Sequence, residues 1–200
     1  MQSKVVIVDK PSWVSFDDIH DVLWKANELN RKNGFKLRTA ELSGGELEER
    51  IGTNGKCFVA LEGEKIVGTI SIRMLRRNNW YAQGEVPDYM LAAVLPEYQG
   101  QHLNTRLSEK VFDYVKNAGY QLIELDTAED NLHAIAVYEH LGFKKVNYVA
   151  IKDADHYSVV MAKWLENCPF SEHYCRLRYS IKRILVRIRY KVGKVKRFGI

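Results

Sequence analysis

The sequence predicts an α/β fold, a mixed β-sheet with helices on both faces, and residues 89–143 carry most of that prediction. An apolar run in this stretch stops abruptly at Pro96, as buried strands do. After a polar turn, apolar residues recur at helical spacing over residues 103–117. A second apolar run, 121–126, leads into a second helix, 131–141. Strand, helix and strand in this order are typical of a right-handed crossover between parallel strands.

Further elements precede this stretch. A strand is predicted over residues 4–9 from its apolar run. Ser15 and Asp18 have the spacing of a capping box, so a helix is expected to begin there and to follow an apolar stripe to about Asn30. A short acidic helix is predicted over residues 43–50.

The remaining strands are predicted from apolar runs next to turn residues. Residues 76–79 are polar and are interpreted as a loop, and residues 80–88 as a loop or as an early part of the central strand. The first two of these strands flank a four-residue turn that contains glycine, which predicts a hairpin, and the last two flank a turn at 153–155. The four strands are expected at 57–61, 66–74, 145–152 and 157–164.

Composition and cysteine usage favour a cytoplasmic protein without a metal. The apolar fraction of 46% is enough for a sizeable core, and no apolar run is long enough to span a membrane. The N-terminus lacks the pattern of a secretory leader. Cys57, Cys168 and Cys175 form no Cys-x-x-Cys motif, which suits a reducing compartment. No tight group of cysteine and histidine is present, so no metal site is predicted.

Charge divides the chain into two predicted parts, a domain over residues 1–166 and a basic extension over 167–200. The extension contains ten Lys or Arg and one acid, so its net charge is +9. The net charge of the whole chain is +5, which leaves −4 for the domain. Apolar residues of the extension fall at helical spacing, which predicts an amphipathic helix from Ser171 to about Lys191, although a strand is also compatible with the pattern. Such a helix can dock on its own domain, lie on a membrane surface or bind nucleic acid. Docking through the apolar stripe is the prediction favoured here.

The turn after the first apolar run is the place where a ligand is expected. A strand that leads through a polar turn into a helix points free backbone N–H groups at the helix start, where phosphates bind. This stretch resembles the core of the GCN5-related N-acetyltransferases (GNAT), which use acetyl-CoA. The matching residues are Ala93-Val94-Leu95-Pro96-Glu97-Tyr98-Gln99-Gly100 and, further on, Asn131, Ala134, Tyr138, Gly142 and Phe143.

One part of the turn departs from the family pattern. The family's phosphate loop has two glycines where this sequence has His102 and Asn104. Glycine adopts positive φ without strain and lets the backbone approach a phosphate. Asn tolerates positive φ better than most residues, and His can donate a hydrogen bond to an anion. The sequence therefore leaves open a working loop of altered shape and a loop with weakened or lost binding.

The resemblance implies roles for individual residues. Tyr138 would protonate the departing thiolate, although a tyrosine on a helix can also serve packing alone. Asn131 would contact the cofactor, cap its helix, or do both. Asp88 is the first candidate for the general base and Glu85 the second, with a solvated carboxylate as the alternative for each. The residues that would bind acetyl-CoA are Ala93, Val94, Leu95, Gln99, Gly100, Gln101, His102, Leu103, Asn104, Thr105, Asn131 and Tyr138.

The function implied by the resemblance is direct acetyl transfer from acetyl-CoA to a primary amine of a small molecule or a protein. Two alternatives remain open at this point. The chain could be a non-catalytic GNAT-like module that binds CoA through an altered loop. It could also be a protein associated with nucleic acid or the ribosome through its basic extension, which is the less favoured alternative. Peripheral membrane contact through the extension stays open as well.

Overall fold

The protein is described by a computed structural model that covers residues 5–32, 41–150 and 157–197. Tertiary contacts divide it into two compact units. The first contains the described residues up to Asn78 together with Ala82–Tyr120, and the second contains Asn79–Tyr81 and the described residues from Gln121 onward. The turn predicted at 153–155 lies outside the described residues. Strands and helices occur in both units, in agreement with the predicted α/β class.

Four antiparallel strands form the sheet of the first unit, in the order β1-β2-β3-β4. Glu62 pairs with Lys65, so the hairpin between β2 and β3 turns on two residues rather than on the four that the sequence indicated. Gly63 lies in this turn with φ +61°, a conformation that glycine adopts without strain. The strands are β1 (Val6–Asp9), β2 (Lys56–Glu62), β3 (Lys65–Asn78) and β4 (Gln83–Val94).

The prediction of a polar loop at 76–79 is wrong for residues 76–78, which belong to a strand. Strand β3 continues to Asn78 and pairs with the first residues of β4. Burial alternates along 75–78, with Arg76 and Asn78 exposed. Backbone hydrogen bonds extend this part of the ribbon, so its side chains need not be apolar.

Four helices belong to the described part of the first unit, and two of them begin with capping boxes, of which the sequence predicted the first. Ser15 and Asp18 cap the first helix reciprocally, and Ser43 and Glu46 do the same for the third. The single helix predicted to Asn30 is interrupted at Asn27, where a second short helix follows. The helices are α1 (Phe16–Ala26), α2 (Glu28–Lys32), α3 (Gly44–Ile51) and α4 (Leu103–Asn117).

The second unit contains three antiparallel strands in the order β5-β7-β6 and two helices. Its buried apolar side chains include Ile123, Leu125, Val146 and Met161, which come from all three strands. The elements are β5 (Leu122–Ala128), α5 (Leu132–His140), β6 (Lys144–Ala150), β7 (Tyr157–Trp164) and α6 (Glu172–Arg197).

Helix α6 confirms the predicted helix, but the prediction of its packing face is wrong. The helix contacts β6, so it docks on its own unit as expected. Its apolar stripe, however, does not form the contact, because all five members of the stripe are exposed. Those members are Leu177, Ile181, Ile184, Leu185 and Ile188. Within the described ranges of the chain, no helix is both long and apolar enough to cross a bilayer.

Candidate functional site

Strand β4 contains an irregularity three residues before its end. Thr69 pairs with Ala93 and Ser71 pairs with Met90, so two residues of β4 face the single residue between them on β3. One of the two, Leu91, has φ +53°, which is rare for a bulky side chain. Such a β-bulge bends its strand and ends regular pairing, and bulges often lie beside active sites. The burial of the Leu91 side chain offsets the backbone strain.

The turn after β4 is held in place by side chains of the first unit. Pro96–Tyr98 form one turn of 3₁₀ helix. Lys65 Nζ lies 3.1 Å from Glu97 Oε1, and the Tyr98 hydroxyl donates a hydrogen bond to Glu62. Gln99 Nε2 donates to the carbonyl oxygen of Val94 at 3.1 Å, which ties the turn to the end of the strand. The side chains of Ala93 and Val94, at the end of the strand, and of Leu95, directly after it, are buried, so these residues can contact a ligand only through their backbone.

The loop is left-handed at Gly100 and at one of the two positions where the family has glycine. Gly100 has φ +75°, and His102, the N-cap of α4, has φ +57° and ψ +16°. His102 therefore occupies a glycine-like conformation at the cost of about 1 kcal/mol or somewhat more. The other replacement, Asn104, lies inside the helix, so a positive φ is not needed there.

The start of α4 presents backbone donors for an anion. The first intrahelical bond at this end runs from the N–H of Arg106 to the carbonyl of His102 at 3.0 Å. Among the described residues, no side chain caps this helix. The N–H groups of Leu103, Asn104 and Thr105 precede that bond, so they point out of the helix at its positive end. Gln101, on the preceding turn, is exposed beside them. The arrangement fits a phosphate or pyrophosphate group.

The geometry of His102 leads to a test of its strain. We expect His102→Gly to raise the free energy of unfolding by about 0.5–1 kcal/mol, because glycine removes the left-handed penalty and loses part of the gain to unfolded-state entropy. His102→Ala keeps a Cβ in the same conformation and should give no such gain. Urea unfolding of the three proteins compares the values, and a loss of stability in the glycine variant would show that the imidazole contributes more than the strain costs.

The two candidate bases lie in different surroundings on β4. Asp88 is 3% exposed and accepts a hydrogen bond from Arg73 Nε at 2.7 Å. Glu85 is exposed near the start of the strand, opposite Arg76. The first carboxylate is therefore part of a buried ion pair, and the second is solvated. Their assignment as bases stays a prediction.

Tyr138 lies on α5 in the second unit, where its phenol is held in the neutral form. Burial raises the pKa of Tyr138 to about 12, and the negative charge of Asp126 adds to the shift. Its ring meets the ring of Phe143 edge to face at 6.0 Å between centroids. The chain reverses after α5 through Gly142, with φ +90°, and the N–H of Phe143 donates to the carbonyl of Tyr138 at 2.9 Å. This spacing of Tyr, Gly and Phe thus fixes how α5 ends and brings the ring of Phe143 against that of Tyr138.

Asn131 is the N-cap of the same helix. Its side-chain oxygen accepts a hydrogen bond from the N–H of Ala134 at 3.2 Å. This contact confirms the capping role that the sequence left open beside cofactor contact.

A buried polar pair in the second unit has no signal in the sequence. The hydroxyl of Tyr81 donates to Glu124 Oε2 at 2.9 Å, and both residues are buried. Glu124 lies within an apolar strand pattern, and 43 positions separate it from Tyr81. A buried carboxylate beside a phenol belongs to the groups that can take part in proton transfer.

Comparison with known proteins agrees with this geometry. The chain is 34% identical over 86 residues to N-alpha-acetyltransferase 30 of Schizosaccharomyces pombe, which covers 43% of the chain and 55% of that protein. It is 35% identical over 74 residues to the ribosomal protein bS18-alanine N-acetyltransferase of Escherichia coli K12, over 35% of the chain and 50% of that protein. The chain thus spans about half the length of these two relatives.

Solved structures and a family model give the remaining comparisons. A GNAT acetyltransferase from Elizabethkingia anophelis, solved with acetyl-CoA bound, superposes with a TM-score of 0.56 at 14% identity, over 80% of the chain and 97% of that structure. This likeness confirms the predicted fold. The sequence model of the acetyltransferase (GNAT) family matches residues 16–143, more than half of the chain. The chain therefore belongs to the acetyltransferase (GNAT) family.

Proposed function

We propose that the protein is an N-acetyltransferase that moves the acetyl group of acetyl-CoA to a primary amine. The observation that carries this proposal is the start of α4, where the left-handed turn at Gly100 and His102 leaves the N–H groups of residues 103–105 free for a pyrophosphate. The bulge at Leu91 supports it, because a strand bent at that point can offer backbone groups to the pantetheine amides. The altered loop therefore fits the cofactor.

The acceptor proposed here is the α-amino group of a protein or peptide. Both curated relatives are named for protein amino groups, one for an N-terminal amine and the other for the alanine of a ribosomal protein. A small-molecule amine is the alternative. Acetyl transfer requires a neutral amine, so the base must remove a proton from an ammonium group before or during attack.

The chain's own residues supply the proton transfers in this proposal. Acetyl-CoA brings the activated acyl group. The phenol of Tyr138 stays protonated throughout the physiological range, since its pKa is raised to about 12, so it always has a proton for the leaving thiolate. The same burial that raises this pKa also disfavours a free thiolate, so the leaving sulfur remains basic enough to accept the proton of the phenol. Asp88 or Glu85 accepts the proton of the amine.

Binding and turnover test the proposal together. At about 100 times its dissociation constant, acetyl-CoA should stabilise the protein by roughly 2.7 kcal/mol. The stabilisation is measured as a rise in Tm relative to the protein in buffer without acetyl-CoA. Mass spectrometry of a panel of peptides with free N-termini should show mass gains of one acetyl group, and peptides with blocked N-termini serve as the control. Absence of any Tm shift at millimolar acetyl-CoA would contradict the proposal.

A non-catalytic CoA-binding module is the second candidate, and the ion pair of Asp88 supports it, because Arg73 already binds that carboxylate. The two proposals differ in one measurement. A module would show the Tm shift without acetylation of any peptide or small amine, whereas the enzyme shows both.

A further inference from the structure

Helix α6 has an inner face and an outer face of opposite character. At 3.6 residues per turn, Cys175, Tyr179 and Val186 share one face, and they are buried or half-buried. The apolar stripe occupies the opposite face. Its five large side chains are between 48% and 59% exposed, namely Leu177, Ile181, Ile184, Leu185 and Ile188. An apolar surface of this extent on a protein usually binds something.

Charged and aromatic contacts hold the inner face on the second unit. Arg187 donates to Glu129 Oε1 at 2.5 Å and to the hydroxyl of Tyr148 at 3.2 Å, and Arg183 lies 3.8 Å from the same carboxylate. The ring of Tyr179 meets that of Tyr148 edge to face at 6.0 Å. Turning the stripe inward would break all these contacts, so the docking itself directs the stripe outward.

A second cluster anchors the start of the helix. Tyr174 stacks on Phe170 with ring centroids 5.6 Å apart, and both rings meet Trp80 edge to face at 5.4 and 5.1 Å. Trp80 in turn donates its indole N–H to the carbonyl of Val146 at 3.2 Å. Contacts thus hold the helix near its start, at Tyr174, and again about four turns later, at Arg187.

Positive charge borders the outward stripe. Arg178, Lys182 and Arg189 follow one another along one edge of it, and all three are exposed. Between Glu172 and Arg189 the helix has six Lys or Arg and a single acid. The sequence continues with four more basic residues, Lys191, Lys194, Lys196 and Arg197. Long basic side chains beside an apolar stripe can extend toward phosphate groups while their stems stay on apolar surface.

We propose that α6 binds the surface of an anionic lipid bilayer, lying in the interface with its apolar stripe in the acyl boundary and its basic edge at the headgroups. This is the arrangement in which amphipathic helices with a cationic polar face bind membranes. A bilayer engages the stripe and the charge together. A second copy of the chain would bury the stripe but bring two extensions of +9 together, and nucleic acid would engage the charge but leave the stripe in water.

Vesicle flotation of the full-length protein tests the proposal. We expect binding to vesicles of phosphatidylcholine with 30% phosphatidylserine, a fall in binding as salt increases, and little binding to pure phosphatidylcholine. Each basic residue near such a surface changes the binding constant by about fivefold. The double variant K182Q/R189Q, which leaves the contact of Arg178 with the Trp80 ring intact, should therefore bind roughly 25-fold more weakly.

A pair of variants separates insertion of the stripe from charge. Ile181→Asp places a carboxylate within the stripe, and Ser180→Asp adds the same charge at an exposed position of the same helix outside it. We expect Ser180→Asp to weaken binding about fivefold and Ile181→Asp by at least a further tenfold. Both positions are exposed, so an unchanged Tm will show that the fold is intact.

Several outcomes would overturn the proposal. Equal losses in the two aspartate variants would mean that the stripe does not insert. A dimer in light scattering that Ile181→Asp converts to a monomer, without vesicle binding, would assign the stripe to a second copy. Salt-sensitive binding to RNA without binding to anionic vesicles would assign the charge to nucleic acid.

Discussion

Tyr138→Phe is expected to lower kcat by about 10²–10⁴-fold while the affinity for acetyl-CoA stays nearly the same. In the proposed mechanism the phenol acts on charge that develops on the leaving sulfur, so its loss should affect the transition state rather than the bound ground state. The edge-to-face contact with Phe143 survives the substitution because only the hydroxyl is removed. Steady-state kinetics with a peptide acceptor, together with calorimetry of acetyl-CoA binding, measures the two quantities separately.

A matched control is available on α4. Tyr114→Phe removes a hydroxyl from another half-buried helical tyrosine and should leave kcat within about twofold of the original protein. If Tyr138→Phe retained most of its activity under conditions in which chemistry limits the rate, Tyr138 would be a packing residue. Such a result would not affect the proposal that the protein binds acetyl-CoA, and it would change only the role assigned to Tyr138.

The raised pKa of Tyr138 also makes a prediction for alkaline stability. The neutral phenol is favoured in the folded protein, so the associated stability is fully present below pH 10 and is lost as the pH rises from about 10 to about 12. The difference in free energy of unfolding between the original protein and Tyr138→Phe should shrink over that window. Below pH 9 the ionisation of Tyr138 should contribute nothing to the pH dependence of kcat.

Local rules account for the parts that the sequence predicted well. The capping box at Ser15 depends on residues only three positions apart and forms as expected, and the helix predicted at 43–50 begins with a box of the same spacing at Ser43. The reversal after α5 depends on Gly142, which tolerates φ +90° at the end of the helix. In each case the information lies within one helical turn of the feature, so periodicity and capping preferences are enough.

Tertiary contacts decide the parts that the sequence did not predict. Nothing in the local sequence marks Leu91 for positive φ, since leucine is poorly suited to that conformation and only the surrounding sheet imposes it. The outward stripe of α6 was missed for a similar reason. Apolar residues were expected to pack, but the docking surface offers Glu129 and the rings of Tyr148 and Tyr157, which select the arginine and tyrosine side of the helix.

Asp88→Asn is expected to lower the free energy of unfolding by about 2–3 kcal/mol, which corresponds to a fall in Tm of roughly 5–10 °C. The carboxylate is buried on β4 and the Arg73 guanidinium that donates to it is mostly buried on β3. Removing the negative charge leaves that guanidinium without its charged partner, which costs more than the intact pair contributes. Thermal and urea unfolding of the purified variant measure the loss.

The pair also allows a test of Asp88 as the base. Arg73→Met breaks the same ion pair but keeps the carboxylate, so it should lose a similar amount of stability, and R73M/D88N should lose less than the sum of the two. A base role predicts in addition that kcat of the folded protein falls by about 10²-fold or more in Asp88→Asn and much less in Arg73→Met. Glu85→Gln, at an exposed position, should change neither quantity strongly. Equal kcat values in the Asp88 and Arg73 variants would instead assign Asp88 to the sheet alone, as half of the ion pair that joins β3 to β4 ahead of the bulge.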